Sequence, residues 1–92
     1  MRYELHRHRQ FIRDVKRLKK AGWNLGILGD FLEALQKGQP FPARYKIHPL
    51  HGELGGIWDA HIVHNWVILF RFVGDSTIEL LRTGTHASVG LE

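Results

Sequence analysis

With 92 residues, 43% of them hydrophobic and 24% charged, the chain suits a single small domain with one core, and no run approaches a membrane span or a signal peptide's apolar segment, so an intracellular, cytoplasmic protein without a membrane role is expected. It has no cysteine, which excludes disulfides, thiolate metal sites and cysteine nucleophiles and leaves histidine as the main reactive side chain. The formal charge is +4 with a pI near 9.9, and Arg2, Arg7, Arg9, Arg13, Lys16, Arg17, Lys19 and Lys20 concentrate it at the N-terminal end, which suits a polyanion, either nucleic acid or an acidic protein, as well as a plain solvated helix face.

In chain order, Arg2 to His6 alternates with Tyr3 and Leu5 on one face and predicts a short strand. From about Arg9, the residues Phe11, Ile12, Val15 and Leu18 recur at three- and four-residue spacing among basic positions, an amphipathic helix with a cationic outer face that Gly22 ends. Asn24 is placed to cap a second helix with the stripe Leu28, Phe31, Leu32 and Leu35, Gly38 sits where a C-terminal glycine belongs, and Pro40 prevents continuation. These two helices form a hairpin. The connector at 39–44 carries two prolines and predicts neither helix nor central strand. With Gly52, Gly55 and Gly56 it brackets His48 to His51 in an irregular segment, where a scaffold can present a reactive side chain or simply expose two histidines.

Strands follow at residues 57–63, 66–73 and 77–83, joined by short turns at His64-Asn65 and Gly74-Asp75 in which Gly or Asn can take positive φ. A two-residue first turn pairs Val63 with Trp66, His61 with Ile68 and Asp59 with Phe70. The expected fold class is α+β, an N-terminal helical hairpin packed on a small, mostly antiparallel sheet. One domain covers residues 1–92, with Leu91-Glu92 readable as the remnant of a cloning junction.

Between His48 and His86 the chain holds more imidazoles than a sheet needs. Asp59 and His61 are one residue apart, so on a strand they share a face, and a carboxylate there can orient an imidazole for general acid or base work. The same pair also suits the exposed face of a half-buried strand. Metal binding is a rival, because His48/His51 and His61/His64 are spaced by three, but positions three apart on a strand point to opposite faces and no cysteine supports a zinc site. Ser76 and Ser88 lack a nucleophile context, and the glycines at 52, 55 and 56 lack the lysine and helix of a phosphate loop. Trp66, beginning a strand beside a turn, can stack a base or pack at the core's edge, whereas Trp23 and Trp58 are assigned to packing. RNA can be cut without metal or protein nucleophile, because its 2′-hydroxyl attacks the neighbouring phosphate; the enzyme supplies base, acid and cation. His48, His61 and His86 can supply acid and base, Arg82 the cation, and Asp59 can tune an imidazole. The residue types permit this chemistry without choosing it.

The run Tyr45-Lys46-Ile47-His48-Pro49-Leu50-His51-Gly52, then Asp59-Ala60-His61, Trp66-Val67-Ile68-Leu69 and Arg82-Thr83-Gly84-Thr85-His86-Ala87 resembles, in order and spacing, the YafQ branch of the RelE/ParE toxins of bacterial type II toxin-antitoxin systems. The resemblance spans nearly the whole chain. It implies two helices against a mostly antiparallel sheet and a ribosome-dependent endoribonuclease that cuts mRNA in the decoding site. It also implies an acidic antitoxin that wraps and neutralises the toxin and joins it in repressing their operon, so that operator DNA is met only through the complex. No cofactor and no resident metal is expected. Carried over by position, His48, Asp59, His61 and His86 match catalytic or active-site positions of the family, Trp66 its tryptophan, and Arg82 the arginine before the Thr-Gly-Thr-His segment, with a phosphate-binding role suggested by its charge. Asn65 stands where this branch usually has an aspartate, and Val89, Gly90 and Leu91 stand where a phenylalanine tends to follow the last histidine. The alternative is a non-enzymatic binder on the same fold, a ParE-like gyrase inhibitor or a degenerate member kept for antitoxin and operator binding, which has no need of His48, Asp59, His61 and His86 together.

Overall fold

A computed structural model describes residues 2–52 and 55–90. The elements are β1 (Glu4–Arg7), α1 (Arg9–Lys20), α2 (Leu25–Lys37), a 3-10 turn (Ala43–Tyr45), β2 (His48–Pro49), β3 (Trp58–Val63), β4 (Trp66–Val73) and β5 (Thr77–Gly84). The strands form one sheet in the order β1-β5-β4-β3-β2, with β1 parallel to β5 and the other pairs antiparallel.

The helices form where the apolar spacing places them. At 100° per residue, Phe11, Asp14, Val15 and Leu18 fall within one arc of α1, and of these Phe11, Asp14 and Leu18 are buried. Ile12, expected on the apolar stripe, lies outside that arc and is 41% exposed. The helix ends in paired backbone bonds, Trp23 N–H to Leu18 C=O (3.0 Å) and Gly22 N–H to Lys19 C=O (3.1 Å), which need the left-handed φ of 85° that Gly22 adopts. Asn24 caps α2 by accepting from the Gly26 N–H at 2.9 Å.

Alternation along the strands separates two faces. Ala60, Ile62, Ile68, Phe70, Ile78 and Leu80 meet Phe11, Leu18, Leu28, Phe31 and Leu35 of the helices in the main core. Phe31 sits edge-on to Tyr45 of the 3-10 turn, with ring centroids 4.8 Å apart. The opposite face carries a smaller apolar cluster, Val67 and Leu69 covered by Val89 with Leu50, Ile57 and Leu81 alongside. This second face holds the candidate site.

Three local expectations are corrected. His48-Pro49 is not loop but a two-residue strand, pairing His48 with Asp59 and Pro49 with Trp58. In the first hairpin Val63 pairs with Trp66 as expected, yet His61 faces Val67 and Asp59 faces Leu69, because Ile62 is an extra residue with no counterpart on β4. The positive φ in that turn belongs to His64 (49°) and not to Asn65. A second bulge leaves Leu81 of β5 unpaired between Leu80 and Arg82 and turns the end of that strand toward α1.

Candidate active site

The site is built outward from Asp59. It alternates with Ala60 and Ile62 of the helix-side core, so its carboxylate leaves β3 on the opposite face, where it is 3% exposed. Its Oδ1 is buried without a hydrogen-bond partner among the described residues, and its Oδ2 lies 3.5 Å from His48 Nε2 and 3.9 Å from His61 Nε2. Both separations are ion-pair contacts, longer than a hydrogen bond.

His48 reaches Asp59 because β2 sets the two residues directly opposite. The preceding Lys46 adopts a left-handed backbone (φ 48°), and its carbonyl accepts from His48 Nδ1–H at 2.8 Å. This contact puts the proton on Nδ1 and leaves Nε2 toward the carboxylate.

His86 arrives from the far end of the chain. After β5, residues 85–90 form a turn in which Val89 N–H donates to Thr85 C=O at 3.1 Å, and Val89 seats on Val67 and Leu69. His86 thereby lies against His61, with ring centroids 5.1 Å apart. Its Nδ1–H donates to Asn65 Oδ1 at 3.0 Å, so the amide that replaces the expected acid serves as a neutral acceptor. Ligand-capable atoms of Asp59, His61 and His86 all lie within 4.8 Å of one another. Among the described residues this triplet is the group of three or more such side chains close enough together to hold an ion.

Of the two places the sequence allows Trp66, the structure gives it the packed one, and it pairs Arg82 within the protein. Trp66 is 4% exposed, its ring packs edge-on against Trp23 at 4.9 Å, and its Nε1–H donates to Thr83 Oγ1 at 2.9 Å, so it supports the sheet from the helix side and offers no open stacking surface. Its free edge lines an apolar cleft with Trp23, Ile27 and Val63. Arg82 is not a free cation. Its Nε–H and Nη2–H donate to Asp14 at 2.7 and 3.2 Å, and Nη2–H also donates to Ser88 C=O at 3.0 Å. The hydrogen-bonded Asp14 holds the guanidinium pKa above its ordinary value, against the smaller effect of burial. Sequence reasoning overlooked Asp14, which pairs with Arg17 at 3.0 Å beside this strand end; Arg17, already legible as one of the N-terminal cations, stays half exposed and belongs to a cationic patch with Arg13, Lys16 and Lys20. The available signal was an acid set among apolar positions of an otherwise basic helix. The departure involving the terminal aromatic places Val89 in the second apolar cluster, whereas Leu91 lies outside the described residues, as does Leu91-Glu92 as a junction remnant.

Comparison with known proteins matches the chain, in sequence and in fold, to toxins. The mRNA interferase toxin YafQ of Escherichia coli K12 is 35% identical over 81 residues, 87% of each chain. The toxin in the E. coli DinJ-YafQ toxin-antitoxin complex superposes with a TM-score of 0.86 at 31% identity, covering 98% of this chain and 99% of its own. A metal-bound toxin from Helicobacter pylori superposes with a TM-score of 0.84 at 28% identity, covering 97% and 99%. The family model for the bacterial toxin of type II toxin-antitoxin systems, YafQ, matches residues 3–90, and the chain belongs to that family.

Proposed function

We propose that the protein is a ribosome-dependent mRNA endoribonuclease, the toxin of a type II toxin-antitoxin pair, and that His48, His61 and His86 carry its acid-base chemistry. The observation that carries this reading is the convergence of three imidazoles around one buried carboxylate on the face of the sheet away from the helices. A binder has no use for that arrangement. The 2′-hydroxyl of the RNA attacks the adjacent phosphorus, one imidazole takes the hydroxyl proton, and a second protonates the departing 5′-oxygen, leaving a cyclic phosphate and a 5′-hydroxyl end. The Nδ1 contacts of His48 and His86 leave their Nε2 atoms to move protons, and Asp59 holds the positive charge of an imidazolium. Arg82 and Arg17, sharing the single acid Asp14, leave net positive charge at the strand end for a phosphate.

The relative solved with an antitoxin supports an antitoxin partner. An acidic one fits the exposed basic face of α1, which equally suits ribosomal RNA. No helix among the described residues is long and apolar enough to cross a membrane, and a ribosomal target places the protein in the cytoplasm. The test is cleavage of a defined mRNA, alone and on a ribosome programmed with an open decoding site, by the wild type and His86→Ala. Cutting only on the ribosome, abolished by the substitution, is expected; a folded wild-type protein that cuts in neither setting would instead favour the binder.

One observation favours a second occupant of the same groups. A carboxylate and two imidazoles within 4.8 Å, with the buried Asp59 Oδ1 unpartnered among the described residues, form a donor set suited to zinc or copper, and the H. pylori relative is a metal-bound toxin. An ion held there would engage imidazoles needed for proton transfer and inhibit cleavage.

A further inference from the structure

We propose that Asp14 is a positioning residue for His86, acting through Arg82; the functional consequence rests on the catalytic reading of His86 above. Asp14 lies on the core-facing arc of α1 and is 1% exposed. A buried carboxylate persists where donors satisfy it. Here four do so: Arg17 Nη2–H at 3.0 Å and Arg82 Nη2–H at 3.2 Å on Oδ1, Arg82 Nε–H at 2.7 Å and the Thr83 backbone N–H at 3.0 Å on Oδ2.

Three of those donors belong to Arg82 and Thr83, at the end of β5 where the chain leaves the sheet to carry His86. Arg82 continues the connection by donating to Ser88 C=O at 3.0 Å, on the far side of His86. The turn between them is closed by its own bonds, Ser88 N–H to Thr85 Oγ1 at 3.1 Å and Ser88 Oγ–H to Thr85 C=O at 3.0 Å. It begins at Gly84, with φ 149°, where a Cβ would collide with Ser88 Oγ. Thr83 Oγ1 ties the same strand end to Val67 C=O at 2.9 Å. His86 is therefore held from three sides: by Asn65 at its own Nδ1, by Val89 in the apolar cluster, and by the relay from Asp14 through Arg82 to Ser88.

This arrangement gives Arg82 a role beyond phosphate attraction, because its Nε–H and Nη2–H edge is held by Asp14 while the same Nη2 also donates to Ser88 C=O in the turn. Lysine preserves the charge but loses that geometry. Charge neutralisation alone would require only a counter-ion, whereas positioning requires the directed bonds to Arg82 and Thr83. A displacement of about 1 Å at a reacting group costs roughly 100-fold in rate, which sets the size of the expected effect.

The test uses single-turnover mRNA cleavage on programmed ribosomes together with NMR of the His86 ring. Variants are Asp14→Asn, Arg82→Lys and the paired Asp14→Asn/Arg82→Met, with His86→Ala as reference. The proposal expects a fall of about 100-fold in cleavage rate with little change in KM for Asp14→Asn, and a comparable loss for Arg82→Lys. It also expects shifted His86 ring resonances in both. The paired variant removes both charges, so it recovers thermal stability and leaves cleavage slow. Wild-type cutting and an unmoved His86 ring in Asp14→Asn, or recovery of rate together with stability in the paired variant, would overturn the proposal. Should His86→Ala itself cut normally, the catalytic reading fails, while the ring resonances still decide whether Asp14 holds His86 in place.

Discussion

Replacing Trp66 by phenylalanine separates support of the site from contact with the substrate. The substitution keeps an aromatic ring on β4 but deletes the Nε1–H that meets Thr83 Oγ1 at 2.9 Å inside the protein. A neutral hydrogen bond of this kind contributes about 1 kcal/mol. The missing second ring leaves a void beside Trp23, whose edge-on contact is 4.9 Å away, and adds about 1 kcal/mol more. A total near 2 kcal/mol lowers Tm by about 8–16 °C in a domain of this size. Thermal and urea unfolding followed by circular dichroism measure this loss, and a double-mutant cycle with Thr83→Val should return a coupling of about 1 kcal/mol. Cleavage measured well below the variant's Tm should keep kcat/KM within about threefold. An unchanged Tm with a loss of about 100-fold in cleavage would place the ring against the RNA and refute the supporting role.

The remaining expectations concern the turn, the far edge of the sheet and the cluster. Gly84→Ala forces a side chain onto Ser88 Oγ at a backbone conformation suited to glycine; it should cost about 1–3 kcal/mol by urea unfolding and slow cleavage, and an unperturbed variant would show that the turn is not tightly held. The Glu79 carboxyl is held below its ordinary pKa, first by the hydrogen bond with His8 and then by Arg71. Its folded value is depressed, so its contribution to stability is present above the unfolded carboxylate pKa and is lost as pH falls through the folded value. The Tm difference between wild type and Glu79→Gln should therefore be largest near neutral pH and shrink in acid; a pH-independent difference contradicts this. Zinc or copper should inhibit cleavage and be reversed by chelator, with binding weakened in calorimetry by Asp59→Asn; metal-insensitive cleavage, or equal binding by the variant, speaks against the second occupant.

The elements legible in the sequence are those whose pattern is local. Leu28, Phe31 and Leu35 repeat at helical spacing, and α2 buries them with Asn24 as its cap. The alternation through β4 likewise sorts Ile68 and Phe70 from Val67 and Leu69 onto opposite faces. What escaped depends on remote contacts. A two-residue β2 exists through its pairing with β3, and the bulges at Ile62 and Leu81 insert single residues without erasing the apolar pattern. The three- and four-residue spacing in α1 allowed Ile12 to stand for the buried position that Asp14 occupies.

The site divides in the same way. His61 beside Asp59 follows from strand period, but the approach of His48 and His86 needs β2 pairing and the turn after β5. Residue resemblance nominated those two histidines before geometry could join them. Arg82 and Trp66 were legible as a charge and an aromatic, not as occupied groups, because Asp14 lies on another element and Thr83 on the neighbouring strand. The acidic partner of Arg82 is 68 positions away.

In the proposed reaction the RNA's own 2′-hydroxyl is the nucleophile and the imidazoles around Asp59 move its proton. The direct measurement is single-turnover cleavage of two ribosome-bound mRNAs, one all-ribose and one with a single deoxyribose immediately 5′ of the scissile phosphate. Cutting of the first to a cyclic phosphate and a 5′-hydroxyl end is expected, with no cutting of the second at that bond. Equal cleavage of the deoxy substrate would contradict it.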